Sequence, residues 1–133
     1  YLAELLLAES SDMLGKPLLI PMPMHANRRH ERGHNQTEVL CRAAMRHLGH
    51  SFEYNPHLLR RVRHTAPQQG LERKARLSNV KNSMEVVLGA GIAGRVCVVV
   101  DDVSTTGSTF QEAKRALKSA GASEVRCIAL AQS

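Results

Sequence analysis

The chain has 133 residues, a length that fits one domain, and 43% of them are hydrophobic, so it can bury a core without disulfides or a structural metal. Only 3% of the residues are aromatic and none is Trp, which nearly excludes platforms on which nucleic-acid bases could stack. Eighteen Lys and Arg against 12 Asp and Glu give a formal charge of +6, which favours an anionic partner, either a phosphate compound or a nucleic acid.

Two helices and a strand are predicted in the first third of the chain. Leucines at helical spacing predict a helix over residues 2–14, which the Gly15-Lys16-Pro17 sequence ends. A short buried strand is predicted at residues 18–21, and the polar, basic residues 25–33 predict a loop. Over residues 35–48 the apolar side chains fall on one face, which predicts an amphipathic helix.

The segment from residue 52 to 84 has weaker periodicity. Leu58 and Leu59 are compatible with a short strand, residues 60–70 are polar and basic, and residues 71–79 are compatible with a brief helix. Irregular stretches of this length in a compact domain are usually functional or mobile. We therefore expect this segment to be functional or mobile.

Strand, helix and strand alternate in the C-terminal third. Residues 84–88 predict a strand, and the β-branched residues 96–100 predict a strand that is covered on both faces. Residues 108–120 predict a helix with Ser108 near its N-cap, and residues 125–130 predict a closing strand. This order is a βαβ unit. We therefore predict one α/β domain over the whole chain, with a central, mostly parallel sheet flanked by helices.

The strongest chemical signal is the sequence VVVDDVSTTGST at residues 98–109. Asp101 and Asp102 come at the predicted carboxyl end of a buried strand, the edge at which open α/β sheets bind ligands. The residues around Gly107 then open a helix, so their backbone N–H groups would form a cradle for a phosphate. The side chains that add hydroxyl donors are Thr105, Thr106, Ser108 and Thr109. Carboxylates can bind sugar hydroxyls or a divalent metal, and helix capping alone needs neither the acid pair nor four hydroxyls.

This stretch resembles the signature of the type I phosphoribosyltransferases. The resemblance implies that Asp101 and Asp102 bind the ribose hydroxyls of phosphoribosyl pyrophosphate, and that the Thr-Thr-Gly loop holds its ribose-linked phosphate. Earlier segments are similar to those of the ComF family, the competence-associated phosphoribosyltransferase-like proteins. The matching positions are Pro21-Met22-Pro23, Arg32-Gly33-His34-Asn35-Gln36, Thr65, Gln68, Leu71, Arg76 and Asn79.

Two features depart from the ComF pattern. The family commonly has Phe at the position of His34, and it commonly begins with a four-Cys zinc module that this sequence lacks. The sequence opens at Tyr1, inside a predicted helix and without Met. We therefore expect its natural N-terminus to be missing, and the sequence gives no basis for predicting zinc.

The resemblance implies a Mg²⁺-dependent enzyme that transfers a phosphoribosyl group from phosphoribosyl pyrophosphate to a nitrogenous acceptor and releases pyrophosphate. Asp101, Asp102 and Arg76 would be catalytic, and the acid pair would also hold Mg²⁺. Residues 24–29 would contact pyrophosphate, and residues 60–82 would form a flexible loop that closes over the site. The substrate-binding residues would be Thr105, Thr106, Gly107, Ser108, Thr109, Arg32 and Gln68. The acceptor base is not indicated, and a homodimer is left open.

The alternative hypothesis is a non-catalytic module that kept the phosphoribosyl pyrophosphate site as a sensor, or that uses a basic face to handle DNA during competence. Phosphate contacts need only Lys and Arg, although the low aromatic content speaks against base stacking. The basic clusters are Arg28-Arg29-Arg32 and Arg60-Arg61-Arg63. For both clusters, a solvated face and a contact with pyrophosphate are equally open interpretations.

Other patterns predict no chemistry. Residues 89–94 match G-x-G-x-x-G but run into a strand instead of opening a helix, so we predict a turn. The seven His include no helical pair with an acidic partner of the kind that binds zinc. Cys41, Cys97 and Cys127 are odd in number and widely separated, which argues against a disulfide framework and favours the cytoplasm. The apolar runs fall short of the ~20 residues that a membrane-spanning helix needs.

Overall fold

The computed structural model describes residues 1–12, 15–23, 36–62, 83–87, 91–104 and 107–132, with the backbone alone described at 103, 104, 131 and 132. A single 3-10 turn, Ser10–Asp12, follows the first helix. The helices are α1 (Leu2–Glu9), α2 (Gln36–Leu48) and α3 (Ser108–Ser119), and the strands are β1 (Leu18–Pro21), β2 (Glu53–Tyr54), β3 (Leu59–Arg61), β4 (Met84–Val86), β5 (Val96–Ser104) and β6 (Glu124–Gln132). No helix in these ranges is long and apolar enough to cross a membrane.

The described strands form one parallel sheet and one separate antiparallel pair, β3 with β4, which we call the hairpin although a long segment joins its strands. The parallel sheet has the order β2-β1-β5-β6, and β3 pairs with β4 in the antiparallel direction. In the centre, Leu18 of β1 lies opposite Cys97 of β5, and the two strands stay paired as far as Pro21 and Val100. This arrangement confirms the predicted α/β class and the parallel sheet.

Both faces of the sheet are covered, because β1 and β5 send alternate side chains to two hydrophobic clusters. Ile20 and Val99 belong to the cluster that contains buried residues of α3 and the hairpin. Leu19, Val98 and Val100 belong to the cluster that contains buried residues of α1 and α2. Val98, Val99 and Val100 of β5 have no exposed surface, and their burial on both faces of the sheet explains the apolar run at residues 96–100.

Several predicted element boundaries were wrong. Helix α1 ends at Glu9 instead of near residue 14, because the chain tightens into the 3-10 turn. Strands β5 and β6 both extend beyond their predicted ends, since they keep pairing as far as Ser104 and Gln132. Ser108 is the first residue of α3, and the N-cap is Gly107, with no side-chain cap hydrogen bond. The helix predicted at residues 71–79 lies outside the described residues.

No sequence pattern indicates β2, and none indicates how the strand near residue 59 pairs. Strand β2 has only two residues, too few for an alternating pattern. It pairs with β1 in the parallel direction, with Leu18 opposite Glu53 and Leu19 opposite Tyr54. The predicted strand near Leu59 exists, but it pairs with β4 and not with the parallel sheet.

Two turns meet at the amino-terminal end of β5. Gly94 donates its N–H to the Gly121 carbonyl at 2.8 Å, and the N–H of Ser123 bonds to the Arg95 carbonyl at 2.9 Å. Gly121 has φ +104°, and a Cβ added there would lie 3.3 Å from Ala93 Cα. A turn was predicted at residues 89–94 from the G-x-G-x-x-G match. The described part of it, residues 91–94, leads into β5 and opens no helix.

An ion pair between a buried carboxylate, Glu112, and a partly exposed arginine, Arg115, attaches the hairpin to α3. Glu112 is 4% exposed, and its Oε2 accepts the Met84 N–H at 2.9 Å. Arg115 donates Nε to Glu112 Oε1 and Nη2 to Oε2, both at 2.8 Å, and Nη2 also donates to the Met84 carbonyl at 2.8 Å. Both polar groups of the Met84 backbone are thus bound by side chains of one helix.

Removal of the Glu112 carboxylate is expected to destabilise the fold. Glu112→Ala takes the acceptor from a buried N–H and the partner from Arg115, and we expect a loss of about 2–3 kcal/mol in the free energy of unfolding. Glu124→Ala is the matched control, because Glu124 also pairs with an arginine, Arg126, but is about half exposed. The control should lose less than about 1 kcal/mol. Urea denaturation measures both, and equal losses would contradict the role given to Glu112.

Candidate functional site

The acid pair, Asp101 and Asp102, lies on the part of β5 that extends beyond the end of its neighbour β1. Strand β1 ends at Pro21, opposite Val100, and the Met22 N–H bonds to the Val100 carbonyl at 2.7 Å. Asp101 and Asp102 come next, at the carboxyl edge of β1. The sequence predicted that these two acids end β5. In the structure β5 continues beyond them, because β6 still pairs with it as far as Ser104. The two acids therefore lie on a regular strand that is paired with β6 on one side, beyond the point where its pairing with β1 on the other side has ended.

Burial sets the electrostatics of the acid pair. Asp101 is partly buried, and its Oδ1 accepts the Asp102 N–H at 2.8 Å. Burial, followed by the hydrogen bond and charge of the Asp102 side chain, raises the pKa of Asp101 to about 6. The Asp102 N–H and the positive charge of Arg61 act in the opposite direction. An extra negative charge here is therefore costly in the ligand-free protein, and a cation or a hydroxyl donor would relieve that cost.

Arg61 belongs to the site, whereas its neighbour Arg60 does not. The Arg61 side chain is partly buried, and its Nε donates to the Pro23 carbonyl at 2.8 Å. Its charge also acts on Asp101. Arg60 forms an exposed ion pair with Glu85 of β4. Of the two interpretations that the sequence left open, the solvated face fits Arg60, whereas contact of Arg61 with pyrophosphate stays a prediction.

The start of α3 lies at the same end of the sheet. Gly107 has φ +77°, a backbone conformation that favours glycine, and a Cβ added there would meet nothing within 4 Å. Ser108 and Thr109 form the first turn of the helix and are partly buried. The first N–H groups of a helix lack intrahelical partners and carry a partial positive charge, so this end can bind an anion.

Five of the ten predicted site residues can be placed. The structure brings Asp101 and Asp102 together with Gly107, Ser108 and Thr109 at the carboxyl end of β5. The remaining five lie outside the described residues, as do residues 24–29 and most of 60–82; these five are Thr105, Thr106, Arg32, Gln68 and Arg76. Sequence reasoning left the role of Arg61 undecided, because a strand of three residues shows no alternation that separates it from Arg60.

The three cysteines lie in or against the core. Cys41 and Cys97 are buried, and burial raises the pKa of these thiols to about 12 and about 11. Cys127 is partly buried and its pKa is also raised by burial. Raised pKa values disfavour the reactive thiolate, so none of the three fits a nucleophile. Within the described ranges, no group of three or more His, Cys, Asp and Glu could hold a metal.

Neutralising Asp101 should stabilise the ligand-free protein at neutral pH. Because the folded-state pKa of Asp101 is about 6 against an ordinary 3.8, the folded protein holds a proton that the unfolded chain loses between these pH values. The stability of the wild type should fall relative to Asp101→Asn from pH 4 to 6. Above pH 6 the difference should stay constant at about 1 kcal/mol, after allowance for solvent screening of a partly exposed group.

Asp12→Asn is the control for this pH dependence. Hydrogen bonding and charge from Arg126 hold the pKa of Asp12 below its usual value, so its removal should act in the opposite direction. Thermal denaturation at pH 4, 5, 6 and 7 without divalent cations measures both variants. An Asp101→Asn protein less stable than the wild type at pH 7 would contradict the electrostatic account.

The fold is shared with solved phosphoribosyltransferase structures. The chain is similar to a hypoxanthine phosphoribosyltransferase from Staphylococcus aureus, with a TM-score of 0.60, 14% identity, and coverage of 98% of this chain and 60% of that one. At this level of identity the likeness concerns the fold alone. It confirms the predicted type I phosphoribosyltransferase fold.

Curated relatives are more similar in sequence. Competence protein F of Haemophilus influenzae is 35% identical over 115 residues, which cover 86% of this chain and 49% of that protein. The DNA utilization protein YhgH of Salmonella typhi is 36% identical over 126 residues, or 94% of this chain and 54% of that protein. The chain thus spans about half the length of the curated relatives it matches.

The family model described as the phosphoribosyl transferase domain matches residues 48–133, which include the hairpin, β5, α3 and β6. This range also contains the acid pair and the start of α3. The likeness to competence protein F agrees with the ComF resemblance seen in the sequence. The chain therefore belongs to the phosphoribosyl transferase domain family.

Proposed function

We propose that the protein binds phosphoribosyl pyrophosphate with Mg²⁺ and transfers its phosphoribosyl group to a nitrogenous acceptor, with release of pyrophosphate. One observation carries this proposal. A partly buried acid pair and the glycine-led start of a helix lie at the same end of the sheet, five positions apart along the chain. Carboxylates can accept hydrogen bonds from sugar hydroxyls and a helix start can bind a phosphate, so this arrangement supports the binding of a ribose phosphate.

Each placed residue has a role that its surroundings support. The carboxylates of Asp101 and Asp102 accept hydrogen bonds from the ribose hydroxyls. Backbone N–H groups at Gly107, Ser108 and Thr109 bind the ribose-linked phosphate, because the open space above Gly107 lets the phosphate approach the backbone. The remaining roles follow the family resemblance. By that resemblance, Thr105 and Thr106 belong to the phosphate loop, Arg32 and Gln68 bind the substrate, and Arg76 is catalytic.

The acid pair also fits Mg²⁺. Magnesium is usually bound by one or two carboxylates together with substrate phosphates, so it needs no larger group of protein ligands. Burial, followed by the Asp102 side chain, raises the pKa of Asp101, so a bound cation would offset the cost of ionising this carboxyl group. Asp101 and Asp102 would hold the ion, and when bound it would neutralise negative charge on the leaving pyrophosphate. The protein's own contribution is to fix the ribose and exclude alternative orientations.

A non-catalytic module remains the second candidate. The curated relatives bear names that refer to competence and DNA utilization, and the chain carries a formal charge of +6. A sensor would bind phosphoribosyl pyrophosphate without releasing pyrophosphate. A DNA-handling module would bind DNA with an affinity that falls as salt rises, and would not bind phosphoribosyl pyrophosphate.

Calorimetry with phosphoribosyl pyrophosphate, with and without Mg²⁺, tests the proposal. We expect Mg²⁺-dependent binding that Asp101→Asn with Asp102→Asn weakens on the order of a hundredfold, because two charge-assisted contacts are lost. Asp12→Asn with Glu124→Gln changes the net charge equally but replaces exposed acids that pair with Arg126, and should leave affinity unchanged. Pyrophosphate release across a panel of bases then separates the enzyme from the sensor. An unaltered affinity in the Asp101 and Asp102 variant would contradict the assigned site.

The glycine at the start of α3 gives a second test. Gly107→Ala puts a methyl group where the phosphate should approach, and should weaken phosphoribosyl pyrophosphate binding about tenfold or more. Gly15→Ala is closely matched, since Gly15 has φ +78° against +77° at Gly107 and neither added Cβ meets an atom within 4 Å. Both variants should lose a similar stability of about 1–2 kcal/mol. Equal binding by the two variants would show that Gly107 is not at the phosphate.

A further inference from the structure

Arg61 connects parts of the fold that the backbone leaves separate. In the described part of the chain, the β3–β4 hairpin shares no strand pairing with the parallel sheet. Arg61 is the last residue of β3, and its Nε reaches the Pro23 carbonyl, which follows β1. Its charge acts on Asp101 of β5. One side chain therefore hydrogen-bonds to the backbone that follows β1 and acts electrostatically on a carboxylate of β5.

We propose that Arg61 is a positioning residue of the ligand site, holding the backbone that follows β1 and the Asp101 carboxylate in one fixed arrangement. The proposal rests on the proposed function only where it concerns phosphoribosyl pyrophosphate. Arg61 acts on the ligand through Asp101 and the segment after Pro21. It is not assigned a contact with the ligand.

The chemistry of the guanidinium group suits this role. Arginine presents several N–H donors in a rigid, planar fork and stays charged, so one donor can hold a carbonyl while the charge acts on a nearby carboxylate. A lysine ammonium is a point charge on a flexible stem, without that fixed separation of donors. Geometry, as well as charge, should therefore be required at position 61.

The other strand of the hairpin, β4, is held by side chains of α3. Glu112 and Arg115 bind the Met84 backbone, opposite Arg61 in the β3–β4 pairing. Loss of the Arg61 side chain should therefore leave the hairpin attached to α3 and change the acid end of the site locally. This makes a local readout possible in a folded protein.

Two backbone amides report on the arrangement without any ligand. The Met22 N–H bonds to the Val100 carbonyl at 2.7 Å, and the Asp102 N–H bonds to Asp101 Oδ1 at 2.8 Å. In the free protein, Arg61→Met should speed hydrogen exchange at both amides about tenfold, since a charge-assisted contact that fixes them is lost. Nuclear magnetic resonance of the ¹⁵N-labelled chain resolves these two signals from the rest.

Arg60→Met is the matched control. It is the adjacent residue on the same strand and removes the same charge, but it breaks the exposed pair with Glu85. Exchange at Met22 and Asp102 should be unchanged in this variant. Arg61→Lys separates charge from geometry: exchange should remain fast, and full protection with lysine would overturn the requirement for the guanidinium fork.

Ligand binding completes the test. Arg61→Met should weaken Mg²⁺-dependent phosphoribosyl pyrophosphate binding about tenfold, while Arg60→Met stays within about twofold. Weaker binding with wild-type exchange at Met22 and Asp102 would mean that Arg61 contacts the ligand directly, which overturns the proposal. If the wild type binds no phosphoribosyl pyrophosphate, the proposed function fails. The exchange measurements alone then support or overturn the positioning role.

Discussion

The site depends on the unequal lengths of three neighbouring parallel strands. Strand β1 stops at Pro21, while β5 and β6 continue together to Ser104 and Gln132. The buried valines of β5 fix the strand in the core, and continued pairing with β6 keeps the next residues in register. The acid pair is therefore carried on rigid, hydrogen-bonded backbone, at a point where the neighbouring strand has ended. A site on a strand is held more accurately than one on a free loop.

Side chains, not sheet hydrogen bonds, unite the hairpin with the rest of the described structure. Apolar residues of the hairpin, such as Leu59 and Met84, join the core cluster on the α3 face. The polar contacts differ between the two strands of the hairpin. Glu112 and Arg115 of α3 bind the backbone of β4, and Arg61 of β3 binds the Pro23 carbonyl. The hydrophobic effect is non-directional, so packing favours burial of these residues without setting their orientation, which the three charged residues fix.

The central features of the fold were predictable because their signals are local. The valine run of β5, the two acids and the single glycine at residue 107 are contiguous, and their order alone indicates a strand, a ligand edge and a helix start. Strand β2 was not predictable, because its two residues acquire strand geometry only by pairing with β1. The same holds for the role of Arg61, which depends on pairing between β3 and a strand more than 20 residues away. Non-local pairing leaves no periodic trace in three residues.

The meeting of two turns at the far end of β5 bears on protein engineering. Backbone bonds join Gly94 to Gly121 and Arg95 to Ser123, and Gly121 passes so close to Ala93 that a side chain would press against backbone. Inserting a peptide tag or a new chain terminus there would separate β5 from β6 at their shared starting point. The turn at Gly49 and His50 is exposed, with no atom close to an added Cβ at the glycine. The turn at Gly49 and His50 is therefore the better place for an insertion or a new chain terminus.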